Sequence, residues 1–346
     1  MEEHRYHRPE SYRRDIRRRN RRRKKLFFGS VFLLLLLAVG GFFLRDWLRD
    51  EKSPVVKEEL GQVDPPVVKA PEEEEVQELP EVKPFVRSQR AVKISKVAAL
   101  PGEMDFTALK PGTNHSYEAS AYAYDTADVK AWMRGEKPFE EEQKIAFLTF
   151  DDGPVYNTTL VMEVLKRREV PGTFFILGRH LDLYQDKSIL HRYIEEGHSI
   201  AVHSYSHDYG YMYPGRSARA DRVVEEYDKT LQLMKETLGE DFESKVFRFP
   251  GGAMSWNNIP AAQEALLDLG VVDIDWNSLS GDSEPAHRRP ATTQAMGRFA
   301  METYRQYGAQ GVAVILMHDA QGVTAEYLDI VIDEFQAAGF KFGVLK

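Results

Sequence analysis

No cysteine occurs in the 346 residues, which excludes disulfides and thiolate metal ligands at once. Any metal must therefore be held by His, Asp or Glu, and an exported domain built from this chain depends on its apolar core. Outside the first 25 residues acidic side chains outnumber basic ones, 50 to 34. The first 25 carry 12 Lys/Arg against 4 acidic residues, a balance of +8, and since the whole chain is −8 the remainder sits at −16.

Charge of either sign is missing from residues 26–44, "LFFGSVFLLLLLAVGGFFL", a run long enough to cross a hydrocarbon core as a helix. The arginine-rich flank "RRDIRRRNRRRKK" comes first, so the N-terminus is expected in the cytoplasm and the rest of the chain outside. A cleaved signal peptide is the competing reading. It calls for a shorter apolar region and a small-residue site, and here the apolar run continues past "AVGG". A single-pass signal anchor in the cell membrane is expected. The basic tail 1–25 is explained by topology, with an added attraction to anionic lipid, and no nucleic-acid partner is expected.

Residues 45–85, as in "VDPPVVKAPEEEEVQELPEVKP", sustain neither a helical nor a strand period and read as a disordered stalk. Such a segment spans from roughly 35 Å as a coil to roughly 120 Å when extended. Residues 86–140 carry no readable pattern and form an extension of uncertain structure, wrapped on the C-terminal domain. From 141 to 346 the texture changes. Strand runs "IAFLTF", "GTFFIL", "SIAVHS", "KVFRFP", "VVDIDW", "VAVILMH" and "KFGVLK" alternate with amphipathic helical patterns, several closed by Gly. Strand then helix, repeated, predicts parallel pairing with right-handed crossovers, as an open sheet or as a barrel one strand short of the usual eight.

In a parallel barrel the loops converge at the C-terminal strand ends. Those ends carry Asp151 and Asp152, His203, Arg248, Asp275 and His318. Each alone reads as a helix cap or a packed side chain, but five titratable or cationic strand ends in one mouth point to chemistry. "HSYSH" places His203 and His207 four apart on a strand-to-turn segment, where neutral imidazoles with one carboxylate suit zinc or a similar divalent ion. His180, His191 and His198 fall on or beside helices, away from the strand ends, and read as structural. Tyr209, Tyr211 and Tyr213 follow the histidine motif and are candidates to stack on sugar rings. Asp282, in "SLSGDS", reads equally as a mouth residue or a turn former.

The motifs "TFDDGP", "HSYSH", "RFPGG", "DIDWN" and "ILMHD", in this order over residues 140–346, resemble the polysaccharide deacetylases of carbohydrate esterase family four, the NodB homology domain. The resemblance implies a distorted (β/α)7 barrel and hydrolysis of an acetamido group on a sugar. It assigns Asp151 as general base, Asp152, His203 and His207 as metal ligands, and His318 as general acid. Arg248 would pair with Asp151, Asp275 would orient and charge His318, and Trp276 would support the pocket around that histidine. The family usually has Tyr where this chain has Gly251; the backbone N–H that helps form the oxyanion hole survives, while the lost phenol alters sugar binding. A divalent metal is implied, zinc first, with cobalt, nickel or manganese also suited. The expected substrate is a cell-wall glycan, peptidoglycan N-acetylglucosamine first, acted on by a monomer whose barrel faces the wall. Another N- or O-acetylated surface glycan, or an inactive glycan-binding module, remains open.

Overall fold

The computed structural model describes residues 104–183, 187–308 and 311–346. The basic tail 1–25, the apolar run 26–44, the stalk 45–85 and the first part of the 86–140 extension lie outside the described residues. Among the described residues no helix is long and apolar enough to cross a membrane.

The strands are β1 Ala123–Tyr124, β2 Lys144–Gly153, β3 Thr173–Ile176, β4 Ser199–Val202, β5 Val246–Phe247, β6 Val272–Asp273, β7 Ser278–Leu279, β8 Val312–His318 and β9 Phe340–Leu345. The helices are α1 Thr126–Arg134, α2 Tyr156–Arg168, α3 Gly178–Leu183, α4 Ser188–Glu195, α5 Tyr209–Met212, α6 Ala220–Leu238, α7 Ile259–Leu267, α8 Thr293–Tyr307 and α9 Thr324–Ala337. Every ladder between these strands is parallel. From β2 the sheet runs through β3, β4 and β5 to β6, while on the other side of β2 lies β8, which pairs with β7. The chain passes from β6 to β7 through residues 274–277, and among the described residues no ladder joins these two strands, so the barrel is open at that seam. β9 is wedged beside the first half of β2 and carries β1 on its outer edge.

Burial on two faces explains why the strand sequences are apolar without a break. In β2, Ile145 and Phe147 point inward to Phe175, Ala201, Val246, Ile274, Val312, Val314 and Leu345, while Ala146, Leu148 and Phe150 point outward under the helices. The strand's period of two thus divides one run between two cores.

The expected seven strands are all present, and two short ones were not foreseen. β7 arises because the stretch read as one strand, "VVDIDW", stops pairing at Asp273. Beyond it, the Asn277 side chain replaces a strand ladder: its amide donates to Val312 O at 3.0 Å and its carbonyl accepts from Val314 N at 2.8 Å. β1 belongs to the extension, which is part of the fold from residue 104 onward. Asp125 caps α1 by accepting from Ala127 N and Asp128 N. That helix drives Val129 and Trp132 into the barrel's inner core, where Trp132 packs edge-on against Phe139 at 5.4 Å. Lys130 ties the same helix to β6 through Asp273, 2.6 Å away.

Candidate metal and active site

The end of β2 turns sharply. Asp152 sits at φ 73°, a left-handed conformation that a non-glycine residue adopts only under constraint. Gly153 follows because a Cβ there would run into the Asp319 carboxylate. After β4, Ser204 (φ 84°) and His207 (φ 55°) are also left-handed. Buried Glu226, from α6, holds that loop by accepting from Tyr205 N at 2.9 Å, Ser206 N at 2.6 Å and the Ser206 hydroxyl at 2.9 Å. Constrained backbone at both loops fixes where the side chains of Asp152 and His207 project.

Asp152, His203 and His207 offer ligand atoms that all lie within 4.8 Å of one another. Asp152 Oδ1 is 3.7 Å from His203 Nε2 and 3.5 Å from His207 Nε2. His203 Nδ1 lies 2.9 Å from the Arg248 carbonyl, which accepts its proton and leaves Nε2 a lone pair. Burial, reinforced by the neighbouring His203, pushes His207 down to about 4, so its imidazole is neutral at physiological pH. For Asp152, burial acts to raise the pKa, but the imidazoles of His203, His318, His207 and His180 outweigh it and the carboxylate lies below its ordinary range. Asp152 Oδ1 is buried without a hydrogen-bond partner, an orphaned acceptor that a cation would satisfy. One carboxylate and two neutral imidazoles are a fitting donor set for a zinc-like divalent ion.

Asp151 turns the other way. Its Oδ1 accepts from Arg248 Nη1 at 2.8 Å, and its Oδ2 is 3.7 Å from His203 Nε2. Arg248 is fully buried: Nη1 also donates to the Thr149 hydroxyl at 2.8 Å, Nε donates to Ile274 O at 3.0 Å, and the guanidinium lies 3.9 Å over the Phe175 ring. The two adjacent carboxylates therefore face different partners, Asp151 the Arg248 guanidinium and Asp152 the two-histidine pocket where a cation would sit.

His318, at the end of β8, is partnered by Asp282 and not by Asp275. Its Nδ1 lies 2.9 Å from Asp282 Oδ1, and its backbone N–H donates to Asp282 Oδ2 at 2.8 Å. The Tyr327 hydroxyl donates to the same carboxylate at 2.8 Å. The expected role of Asp275 is corrected: its Oδ1 accepts from Ala253 N at 2.9 Å, and its carbonyl faces Arg248 Nη2 at 3.4 Å. The reason is the early end of β6, which leaves Asp275 off the strand end while β7 delivers Asp282 to the mouth. Trp276 lies against Gly252, with its ring 5.8 Å from the Arg248 guanidinium. Burial alone would lower the His318 pKa, but the Asp282 carboxylate pushes it up to about 9. The stabilisation from this pair is complete below the ordinary imidazole value of 6.5 and is lost as pH rises through about 9. Asp282→Asn is expected to lower turnover by about 10–100-fold and move the alkaline limb of the pH–rate profile to lower pH. Asp275→Asn should leave that limb in place.

Gly251 and Tyr209 are brought together beside the metal ligands. Gly251 has φ +77°, and the Tyr209 ring lies 5.1 Å from that of His207. Tyr213 is buried, and the Tyr211 hydroxyl donates to Glu225 at 2.5 Å, so of the three tyrosines only Tyr209 joins the exposed wall of the site. His180, read as structural, bonds the backbone of the turn beside the site: its Nδ1 lies 2.9 Å from Asp152 O. Asp319 is fully buried; it accepts from the Thr158 hydroxyl at 2.5 Å, and burial pushes its pKa up to about 7. Sequence reading missed Glu226 and Asp319. Glu226 carried one signal, a carboxylate on the same helix stripe as Val223, Tyr227 and Thr230.

Residues 140–270 match the family described as Polysaccharide deacetylase. Peptidoglycan-N-acetylglucosamine deacetylase PgdA of Listeria monocytogenes is 29% identical over 209 residues, covering 60% of this chain and 39% of that protein. The chain thus spans well under two thirds of that curated relative. Among solved structures, a Streptococcus mutans CE4 esterase is similar with a TM-score of 0.65 and 37% identity, covering 70% of this chain and 100% of that one. The catalytic domain of peptidoglycan N-acetylglucosamine deacetylase from Eubacterium rectale is similar with a TM-score of 0.51 and 26% identity, covering 60% of this chain and 91% of that one. With the parallel barrel and the residues gathered at its mouth, these likenesses place the chain in the polysaccharide deacetylase family, carbohydrate esterase family four.

Proposed function

We propose that this protein is a metal-dependent N-deacetylase of a bacterial wall glycan, with peptidoglycan N-acetylglucosamine as the substrate, giving acetate and a free amino sugar. The observation that carries the reading is the meeting of three groups in one mouth: the Asp152–His203–His207 donor set, Asp151 on a buried arginine, and His318 on a buried carboxylate. Asp152, His203 and His207 would hold a divalent ion, zinc in our reading, that would supply Lewis acidity toward the acetyl carbonyl and acidify water. Asp151 takes the proton from the attacking water. The carbonyl carbon gains that oxygen, the negative charge that develops on the carbonyl oxygen is met by the Gly251 N–H, and the C–N bond breaks as His318 gives its proton to the departing nitrogen. Arg248 holds and aims Asp151, and Asp282 keeps His318 protonated.

The N-terminal segments support a location. An uncleaved anchor with a cytoplasmic N-terminus and a stalk of about 40 residues would carry a monomeric barrel outward into the wall. Removing acetyl groups there leaves cationic amines on the polymer, and resistance of the wall to lysozyme is the consequence we propose.

The test is incubation of the full-length protein with purified peptidoglycan, with and without a chelator, scoring released acetate and the mass of the product glycan. Acetate release that stops with chelator and returns on adding zinc supports the reading. Loss of acetyl groups only from O-esters, or acetate release indifferent to chelator, overturns it. His203→Ala and His207→Ala are each expected to lose the metal itself, read by elemental analysis of the purified protein.

A further inference from the structure

Gly251 looks at first like a gap in the wall of the site, but the space beside it is filled. The Tyr209 hydroxyl lies 3.2 Å from the point where a Cβ on Gly251 would sit, and Trp256 Cζ2 lies 3.3 Å from it. Both rings come from elsewhere in the chain, Tyr209 from the loop after β4 and Trp256 from the turn after β5.

They are held there firmly. Trp256 Nε1 donates to Pro250 O at 2.8 Å, which ties the indole to the same turn that carries Gly251. Tyr213, buried, stacks on the indole at 4.2 Å with 13° between the planes, and the Arg216 guanidinium lies 5.2 Å from the Trp256 ring. Tyr209 packs on Trp256 at 4.9 Å and on His207 at 5.1 Å. Asp208 fixes its backbone by accepting from Gly210 N and Tyr211 N. Tyr209 is nevertheless 43% exposed, so a supported ring beside a metal ligand keeps one side open.

We propose that Tyr209 is the specificity-determining residue of this site. Its phenol occupies the place of a side chain at position 251, and with Trp256 it forms the wall that receives the apolar face of the N-acetylated sugar. Aromatic rings that are rigid, partly exposed and polar at one end suit a pyranose, whose C–H face needs an apolar surface and whose hydroxyls need partners. Gly251 and Tyr209 are then coupled: a side chain at 251, already strained at φ +77°, would also press on the phenol, and removing the phenol relieves that part of the conflict. This proposal rests on the deacetylase reading for its substrate class.

The experiment uses the metal-loaded full-length protein with an N-acetylglucosamine tetramer and, as a substrate without a sugar ring, 4-nitrophenyl acetate. Tyr209→Ala is expected to lower kcat/KM on the tetramer about tenfold more than on the ester. Tyr209→Phe, which keeps the ring, should fall less. Gly251→Ala should lose activity on the tetramer, and the loss should shrink in the Tyr209→Ala background, because the two groups compete for one space. Equal losses on both substrates, or strictly additive effects of the two substitutions, overturn the proposal. Should the wild type fail to deacetylate the tetramer, the deacetylase reading falls on that substrate, and tetramer binding followed by tryptophan fluorescence decides the present one. Weaker binding by Tyr209→Ala supports it, and equal binding, or none by the wild type, sinks it.

Discussion

Asp151→Asn is expected to slow acetate release by about 10²–10⁴-fold while the purified protein keeps its metal. The substitution is nearly isosteric, and the remaining carbonyl oxygen can still accept from Arg248 Nη1, which now holds Asp151 Oδ1 at 2.8 Å. What is lost is the capacity to take a proton from water. Asp152 Oδ1 is the oxygen grouped with the two histidines, so the donor set stays intact when its neighbour is neutralised. Parallel measurement of acetate and of metal content separates the two carboxylates. Retained turnover would remove Asp151 as the base, and metal lost together with turnover would make it a ligand.

Arg248→Ala is expected to destabilise the fold by about 3–5 kcal/mol, read as a lower midpoint in urea or a lower Tm at neutral pH. The guanidinium is fully buried and satisfies Thr149, Asp151 and the Ile274 carbonyl together. Removing it leaves the Asp151 carboxylate out of water with no counter-charge, the situation in which a broken buried pair is most damaging. Arg248→Lys keeps a charge but lacks the planar fork, so it should recover only part of the loss. Combining Arg248→Met with Asp151→Asn removes both charges, and its stability should exceed that of Arg248→Ala. An unchanged midpoint for Arg248→Ala would show that solvent reaches the pair.

Period-two and period-3.6 patterning placed the strands and helices of residues 141–346 because in this chain each strand is short, apolar and bounded by a helix with its own stripe. Motif spacing likewise brought Asp151, Asp152, His203, His207, Arg248 and His318 to one mouth. The failure at Asp275 has a local cause. "VVDIDW" carries an unbroken strand pattern, and nothing in it announces that Asn277, reaching across to Val312 and Val314, will replace the ladder and pass the strand-end position on to Asp282. Glu226 and His180 reach the site from helices and so lie outside any strand-end rule. Helix α1 shows the same limit: Val129 and Trp132 stand beside Ala127, Ala131 and Met133 in one short helix, and only the barrel interior gives that pair its destination.

That destination bears on what a domain boundary means for this protein. The likeness to the Streptococcus mutans esterase covers 70% of the chain and so reaches back before residue 140, where the family match starts. A chain cut there would begin after Trp132 and leave the floor of the barrel open to water, with Ile145, Phe147 and Val314 beneath it. The family match and the packed core are therefore different lengths of the same polypeptide.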